Sequence, residues 1–248
     1  MRPLPLACTL LACGLAMPGQ AAEVTLAFRL ANFSHPLAIT NRYSPMVAGR
    51  RAVFYEVEDD ECSVDDIVVT QQAKTNFRGP YAGLAARVVR DRAWEDDDCD
   101  GGRDRLAEDT FDWFAQDNAG NVWYLGENTT AFTYDAAGHV IARSTAGSWE
   151  AGRNGAIAGL IMLAHPATGL SYQQEFAEGI AEDRARVEKI GQTVTTGLGT
   201  FSGCIVTKES TPLAPNDIER KTYCPNVGLV LVELQGGKGG AEAVDLGL

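Results

Sequence analysis

The chain has 248 residues, 45% of them hydrophobic, and a formal net charge of −12 at pH 7. This length and composition allow one sizeable hydrophobic core, which favours a single domain. The acidic balance argues against nucleic acid and anionic membrane surfaces as partners, because like charges repel. Beyond the first 22 residues, no run is apolar enough to form a transmembrane segment.

Residues 1–22 resemble a secretory signal peptide. Arg2 precedes an apolar run, and Gly19 and Ala21 are the small residues expected before a cut after Ala21 or Ala22. The run is too short to span a bilayer as a mature helix. We therefore predict a signal peptide over residues 1–22.

Lipoprotein processing at Cys13 is an alternative, because Leu10 to Cys13 spells LLAC, which resembles a lipobox. Ordinary cleavage is preferred, since Cys13 lies early and leucine is unusual directly before the small residue of that motif. We therefore predict an exported protein, periplasmic or extracellular. Residues 23–248 are predicted to form a single β-rich domain.

Short alternating or β-branched runs between turn signals fill the chain from Arg51 onward, without a convincing helical stripe. We predict a mainly β fold with little helix: an antiparallel meander that forms a strongly curved sheet or an open or closed barrel. Residues 236–248 are predicted as a glycine-rich link and a short C-terminal tail that adds an edge strand or frays. The predicted strands are Ala52–Glu58, Asp66–Lys74, Ala82–Trp94, Leu106–Asp117, Asn121–Tyr134, His139–Glu150, Gly159–Met162, Ser171–Glu178, Arg184–Ile190, Thr193–Leu198, Phe201–Thr211, Ile218–Cys224 and Leu229–Gln235.

The segment from Phe111 to Glu127 predicts a β-hairpin around the turn from Asp117 to Gly120. Aspartate at the first turn position and glycine at the fourth suit a type I turn followed by a left-handed glycine. Both faces of this hairpin are apolar, so we predict a central hairpin that is covered on both sides. The predicted cross-strand pairs are Gln116 with Val122, Ala115 with Trp123, Phe114 with Tyr124, and Trp113 with Leu125.

Four cysteines remain after the predicted cleavage, and export permits disulfides among them. Cys204 and Cys224 are equidistant from Ala214, the centre of a predicted hairpin turn, so they should lie opposite each other. Cys62 and Cys99 flank a second turn, at Gly79-Pro80, in the same way. We predict the disulfides Cys62–Cys99 and Cys204–Cys224. No Cys-x-x-Cys spacing indicates a zinc site.

The acidic loop after Trp94 is a candidate calcium site. Asp96, Asp98, Asp100 and the following glycine reproduce the first half of a calcium-binding loop, in which alternate carboxylates converge on a hard cation. An alanine occupies the position of the usual bidentate glutamate, so Asp104 or Glu108 would have to complete the shell. The alternative interpretation is a solvated acidic hairpin tip held by a disulfide, without a cofactor.

Carboxylates on apolar strands are the candidate catalytic groups. Glu150 follows Trp149 in a frame of small residues, and Glu175 and Asp112 lie on other predicted strands. Two such groups that converge in a cleft would favour acid/base hydrolysis of the glycosidase type. The alternative is that they pair with arginines or face water. No phosphate loop, dinucleotide fingerprint or nucleophile elbow is present.

Several longer motifs are similar to a family of exported bacterial proteins of uncharacterised function, often described as hypothetical proteins or lipoproteins. The motifs include FSHPLAITNRYSP from Phe33, DWFAQDNAGNVWYLGE from Asp112, GSWEAG from Gly147 and KTYCPNVGLV from Lys221. The resemblance runs through most of the chain after the signal peptide and implies export and a β-rich fold, but no activity. Cys224, where alanine is more usual, and the longer acidic loop depart from the family pattern.

Three functions follow from these features. The first is an exported, non-enzymatic protein that holds a small or apolar ligand in an aromatic-lined curved sheet, with Trp113, Trp123, Tyr124 and Trp149 as ligand-binding residues. The second is a hydrolase that uses Glu150 with Glu175 or Asp112. The third is an envelope scaffold protein with a filled core. A cavity beside the tryptophans, and carboxylates pointing into it, would distinguish these functions.

Overall fold

The computed structural model describes residues 22–237 and 239–247. Within these ranges the regular structure is sixteen β-strands and two 3-10 turns, Leu30–Asn32 and Gly79–Tyr81. The strands are β1 Ala22–Glu23, β2 Arg51–Glu58, β3 Glu61–Lys74, β4 Ala86–Asp96, β5 Arg105–Gln116, β6 Val122–Tyr134, β7 Val140–Ser144, β8 Trp149–Glu150, β9 Ile157–Met162, β10 Leu170–Gln173, β11 Glu175–Phe176, β12 Arg184–Thr196, β13 Gly199–Thr211, β14 Ala214–Cys224, β15 Gly228–Leu234 and β16 Gly239–Gly247.

All the strands belong to one sheet, in the order β1-β10-β12-β13-β14-β15-β16-β2-β3-β4-β5-β6-β9-β11, with β7 and β8 also paired to β6. The pairs are antiparallel except β1 with β10, which is parallel. The two ends of this path carry different strands and are not joined by a ladder in the described residues. The predicted curved antiparallel sheet is therefore confirmed in its open form.

One cavity shows how strongly the sheet curves, because distant strands line it together. Phe54 of β2, Asp91 of β4, Tyr124 of β6 and Leu229 of β15 all contribute to its wall. Near the ends of the path, the Tyr172 hydroxyl of β10 donates to the Ile161 carbonyl of β9 at 3.5 Å. We call the cavity side the inner face of the sheet.

Most predicted strands form within a few residues of their expected bounds. The predicted break between Arg184–Ile190 and Thr193–Leu198 is absent, since β12 continues through it with three register shifts against β13. Gly191, with φ of +68°, lies in this irregular stretch and adopts a conformation that glycine tolerates. One continuous strand therefore replaces the two predicted ones.

The C-terminal strand β16 differs most from the sequence prediction of an edge strand or frayed tail. It pairs with β15 on one side and with β2 on the other, so it lies inside the sheet. A Cβ atom on Gly239 would lie 1.7 Å from the Val57 carbonyl oxygen, and one on Gly240 would lie 2.0 Å from that of Val232. The glycines thus allow close backbone approach on both sides instead of serving as a flexible link.

The β5–β6 hairpin confirms the predicted turn and part of the predicted register. The Gly120 amide donates to the Asp117 carbonyl at 3.0 Å, and Gly120 has φ of +96°. The ladder then shifts, so that Asp112 pairs with Glu127, and the predicted pairing of Trp113 with Leu125 is wrong. The three pairs nearest the turn are as predicted: Gln116 with Val122, Ala115 with Trp123, and Phe114 with Tyr124.

Both faces of this hairpin are buried, as predicted. Trp123 contacts Phe28 and Phe33 of the segment that precedes β2, with ring centroids 5.7 and 5.9 Å away. On the inner face, Phe114 and Tyr124 stack with centroids 4.8 Å apart. The hairpin is thus a central element of the fold.

Both predicted disulfides are present. Cys204 and Cys224 follow the hairpin register, in which Ile205 pairs with Tyr223. Cys62 instead pairs in the ladder with Asp96, and Cys99 turns back to it with φ of +58°. Two disulfides fit an oxidising, extracytoplasmic compartment, because cytosolic thiols are kept reduced.

The predicted signal peptide and Cys13 lie outside the described residues, except for Ala22 in β1. The cleavage site therefore stays a prediction. Among the residues that the structure describes, no helix has the length and hydropathy needed to cross a membrane.

Candidate functional site

A cavity of about 370 Å³ lies on the inner face of the sheet, and we call it the inner cavity. Most of its wall is apolar, and acidic side chains contribute at one part of it. Volumes of this size are typical of small-molecule sites. Its apolar wall includes Met46, Ala52, Phe54, Ile67, Val69, Val89, Phe114, Ile161, Leu229 and Leu246.

A row of carboxyl groups crosses the inner face beside this cavity, one from each of five strands. Asp91 and Asp112 line the cavity itself. We call the full set the carboxyl row; its members are Asp65 of β3, Asp91 of β4, Asp112 of β5, Glu127 of β6 and Glu175 of β11.

The carboxyl groups of the row are weaker acids than usual. Burial raises the pKa of Asp65, Asp91, Asp112 and Glu127 to about 7, and that of Glu175 to about 8. Repulsion between neighbours adds to burial, since Asp91 faces Asp112 and Asp112 faces Glu127. Within the described part of the chain, none of these carboxyl groups forms a salt bridge.

Tyr124 joins two members of the carboxyl row. Its hydroxyl oxygen lies 2.6 Å from Asp112 Oδ1 and 2.9 Å from Glu127 Oε2. A phenol has one proton and donates it to one carboxylate at a time. For both contacts to be hydrogen bonds, the other carboxyl must be protonated and donate to the phenol oxygen. This geometry thus favours one protonated carboxyl group, on Asp112 or Glu127, near neutral pH.

Of the three predicted catalytic carboxylates, the structure brings two towards one another. Asp112 and Glu175 both lie in the carboxyl row, and Glu127 connects them electrostatically. Trp149 Nε1 donates to Glu175 Oε2 at 3.1 Å. Glu150 instead forms salt bridges with Lys74 at 3.0 Å and Arg153 at 2.6 Å, and it lines a second cavity with Glu127 and Trp149.

The predicted ligand-binding aromatic residues divide into separate groups. Tyr124 lines the inner cavity, and Trp149 packs against it edge to face with centroids 5.3 Å apart. Trp123 directly precedes Tyr124 in β6, so its side chain points to the opposite face of the sheet. There its Nε1 donates to Asp117 Oδ2 at 3.0 Å. Trp113 lies against Phe77, with centroids 6.1 Å apart. Trp113 and Trp123 therefore lie outside the inner cavity. Trp113 and Trp149 line the second cavity, of about 290 Å³, together with Glu127 and Glu150.

Sequence reasoning missed Asp65, Asp91 and Glu127. A usable signal was present: Asp91 lies two residues from both Val89 and Ala93, so alternation places a carboxylate on an apolar face. Such a group is rarely buried without a function or a partner. The sequence alone did not show that similar positions on neighbouring strands come together.

The acidic loop after Trp94 brings three of its four predicted ligands together. One carboxylate oxygen each of Asp96, Asp98 and Asp104 lie within 4.8 Å of one another. Asp96 is buried and accepts from the amides of Asp100 and Gly101 at 3.2 and 2.8 Å. The charge of Asp100, together with burial and Asp104, raises the pKa of Asp98. This repulsion is what a bound divalent cation would relieve.

If the loop binds calcium, the ion should stabilise the folded protein. We expect 5 mM calcium to raise the thermal midpoint by about 5 °C, since a ligand that binds only the folded state shifts the equilibrium. Differential scanning fluorimetry measures this shift, and the Asp98→Asn variant should lose it. The Asp217→Asn variant, altered at an exposed site, should keep it. An unchanged midpoint in the parent protein would exclude the calcium site.

Comparisons with known proteins add little to these contacts. The chain matches no protein-family model and no curated protein. Among solved structures, one described as a "putative lipoprotein" from Parabacteroides distasonis is similar at 13% sequence identity. The match covers 83% of this chain and 98% of that chain, with a TM-score of 0.39.

Proposed function

We propose that this protein is an exported, non-enzymatic binding protein that holds a small, largely apolar ligand in the inner cavity. The observation that carries this proposal is the cavity of about 370 Å³, whose wall is mainly aliphatic and aromatic. Ligand sites are commonly concave and apolar, with a few polar groups that orient the ligand. The two disulfides support export.

Two loops contribute to the wall of the inner cavity and support access for a ligand. Ser44, Pro45 and Met46 come from the segment before β2, and Val227 and Gly228 come from the β14–β15 turn and the start of β15. The Arg50 guanidinium joins the two segments, since it donates to the carbonyls of Asn226 and Val227. A contact between two loops can separate at smaller cost than two paired strands.

Binding of a neutral fluorescent probe tests the proposal. We expect N-phenyl-1-naphthylamine to bind one site per chain, with enhanced fluorescence. The Ala52→Trp variant places a large ring in the cavity wall and should weaken binding at least tenfold. The Ala142→Trp variant carries the same ring at an exposed position in β7 and should bind like the parent.

Equal saturation of the parent protein and Ala52→Trp would overturn the assignment of the ligand to the inner cavity. Circular dichroism should accompany the titration, because an unfolded variant would lose binding for another reason. Native mass spectrometry of protein purified from its exporting cells would identify a ligand that remains bound.

A hydrolase is the second candidate, and the shared contact of Asp112 and Glu127 with Tyr124 is the observation that favours it. Two carboxyl groups with different protonation states resemble an acid/base pair. The Tyr124 hydroxyl, however, occupies the space between them where a scissile bond would need to lie. Binding without turnover is therefore the better match to this geometry, with Asp112 and Glu127 as polar groups of the site.

A further inference from the structure

The geometry points to a ligand class: we propose that the inner cavity takes an organic ammonium ion with an apolar body, and that the ammonium group binds at Asp91 and Asp112. This inference rests on the proposed binding function and specifies its ligand. It is carried by an unpartnered buried oxygen, by the shape of the carboxyl row and by the apolar remainder of the wall.

Asp91 supplies the first observation. Its Oδ1 atom is buried and has no hydrogen-bond partner in the described residues, although the side chain lines the inner cavity. A buried acceptor without a donor costs about 1–3 kcal/mol, and more when the group is charged. A ligand with N–H donors in the cavity would satisfy this oxygen.

The charge of the site supplies the second observation. Asp65 faces Asp91 from β3, while Asp112 and Glu108 face it from β5. Three cations also line the cavity, and none pairs with the carboxyl row. Lys221 forms salt bridges with Glu209 and Glu219 at 3.2 and 2.8 Å, and Arg51 forms one with Asp66 at 2.6 Å. The Arg50 guanidinium donates to the carbonyls of Asn226 and Val227. The carboxyl row therefore has an excess of negative charge when it ionises, and a cationic ligand would neutralise it.

The spacing of the row favours an organic cation over a metal ion. Metal sites need several ligand atoms around one point, as the Asp96, Asp98 and Asp104 oxygens provide in the acidic loop. Within residues 22–237 and 239–247, no member of the carboxyl row belongs to such a cluster. Asp91 and Asp112 lie on the adjacent strands β4 and β5, offset by two residues, since Asp91 pairs with Thr110 and Asp112 with Val89. An ammonium group with several N–H donors can contact two neighbouring carboxylates at this spacing.

The remaining wall fits the apolar body of such a ligand. Phe54, Ile67, Phe114, Leu229 and Leu246 line the cavity together with the two carboxylates. An alkyl chain in this space would bury apolar surface while the charged end reaches Asp91. A primary alkylamine is protonated at neutral pH, since amines of this kind resemble the lysine side chain with a pKa near 10.4.

Calorimetric titration of the purified protein with octylamine, octanol and octanoate tests this inference. These probes share the alkyl chain and differ in head-group charge. We expect octylamine to bind at least tenfold more tightly than octanol, and octanoate to bind most weakly. The Asp91→Asn variant keeps the shape but cannot ionise, so it should lose the preference for octylamine while binding octanol unchanged. The Glu233→Gln variant, altered at an exposed site in β15, should keep it.

Proton release provides a second readout. Binding of a cation favours the ionised carboxylates, so octylamine should release protons at pH 6.5, which appear as different heats in phosphate and Tris buffers. Octanol should release none, and Asp91→Asn should release fewer.

The outcomes separate the two proposals. Octanol binding as tight as octylamine binding would overturn the ammonium inference while leaving the binding function in place. Binding of none of the three probes, together with no binding of N-phenyl-1-naphthylamine, would overturn both. An octylamine preference that persists in Asp91→Asn would also overturn the assignment to the inner cavity.

Discussion

The protein should be more stable at pH 5 than at pH 8, with a difference on the order of 4 kcal/mol or more. In the folded state, burial raises the pKa of Asp65, Asp91, Asp112 and Glu127 to about 7 and that of Glu175 to about 8. In the unfolded chain such groups lose their protons near pH 4. The folded protein thus binds more protons between pH 4 and pH 8, and stability falls as pH rises through this window.

The size of this effect follows from the individual carboxyl groups. Between pH 5 and pH 8, one group whose pKa is raised from about 4 to about 7 contributes about 3 kcal/mol, and neighbouring groups that share protons each add less than this. A carboxyl group with a lowered pKa, such as Glu209 beside Lys221, makes stability rise with pH instead. That effect falls near pH 4 and below, outside the window from pH 5 to pH 8. Urea unfolding followed by tryptophan fluorescence at pH 5, 6, 7 and 8 measures the slope.

The Asp112→Asn variant isolates the contribution of the carboxyl row. The amide cannot ionise, so this variant should be more stable than the parent at pH 8 and should show a shallower slope. Asp217→Asn provides the matched change at an exposed position and should follow the parent profile. Stability that is constant or rises between pH 5 and pH 8 would contradict the burial of the row without salt bridges.

Replacement of Gly126 by alanine should destabilise the protein by on the order of 3 kcal/mol or more. Gly126 has φ of +125° and pairs with Glu150 of β8 at the irregular part of β6. A Cβ atom there would lie 2.3 Å from the Trp149 carbonyl oxygen and 2.9 Å from the Glu150 Cα atom. Both are backbone atoms, so β8 would have to move away from β6.

Gly138 supplies the control for this prediction. It also has a positive φ, +80°, but nothing lies within 4 Å of an added Cβ atom. Gly138→Ala should therefore cost only the conformational strain, about 1 kcal/mol. Chemical denaturation measures the loss of unfolding free energy in both variants, and the difference between the two losses gives the cost of the steric clash. Equal losses of stability would show that β8 does not pack closely on Gly126. The Gly126→Ala variant should also bind ligand more weakly, because a shift of β8 would move Trp149 and, through it, Tyr124.

The hairpin from Phe111 to Glu127 shows how far local sequence information extends. The turn and the three pairs nearest to it were predictable, because Asp117 and Gly120 specify the loop and antiparallel pairing continues from it. Prediction failed at Trp113, where the ladder shifts. At this place β8 pairs with Gly126, and β8 lies more than twenty residues further along the chain.

The disulfides show the same limit. The pairing of Cys204 with Cys224 follows from the register of one hairpin, so equal distances from the turn identify it. Cys62 and Cys99 are also joined, but the ladder sets Cys62 opposite Asp96. The second pairing depends on the turn of the acidic loop, which the spacing did not describe.

The sequence by itself determined the β class, most strands, the central hairpin and the Cys204–Cys224 disulfide, because alternation, turn residues and hairpin register act between near neighbours. The tertiary structure decided which faces meet. It placed β16 between β15 and β2, paired Glu150 with Lys74, and brought Asp91 and Glu127 beside Asp112. These contacts depend on how a long sheet curls and shifts register, and those properties arise from packing between strands far apart in the chain.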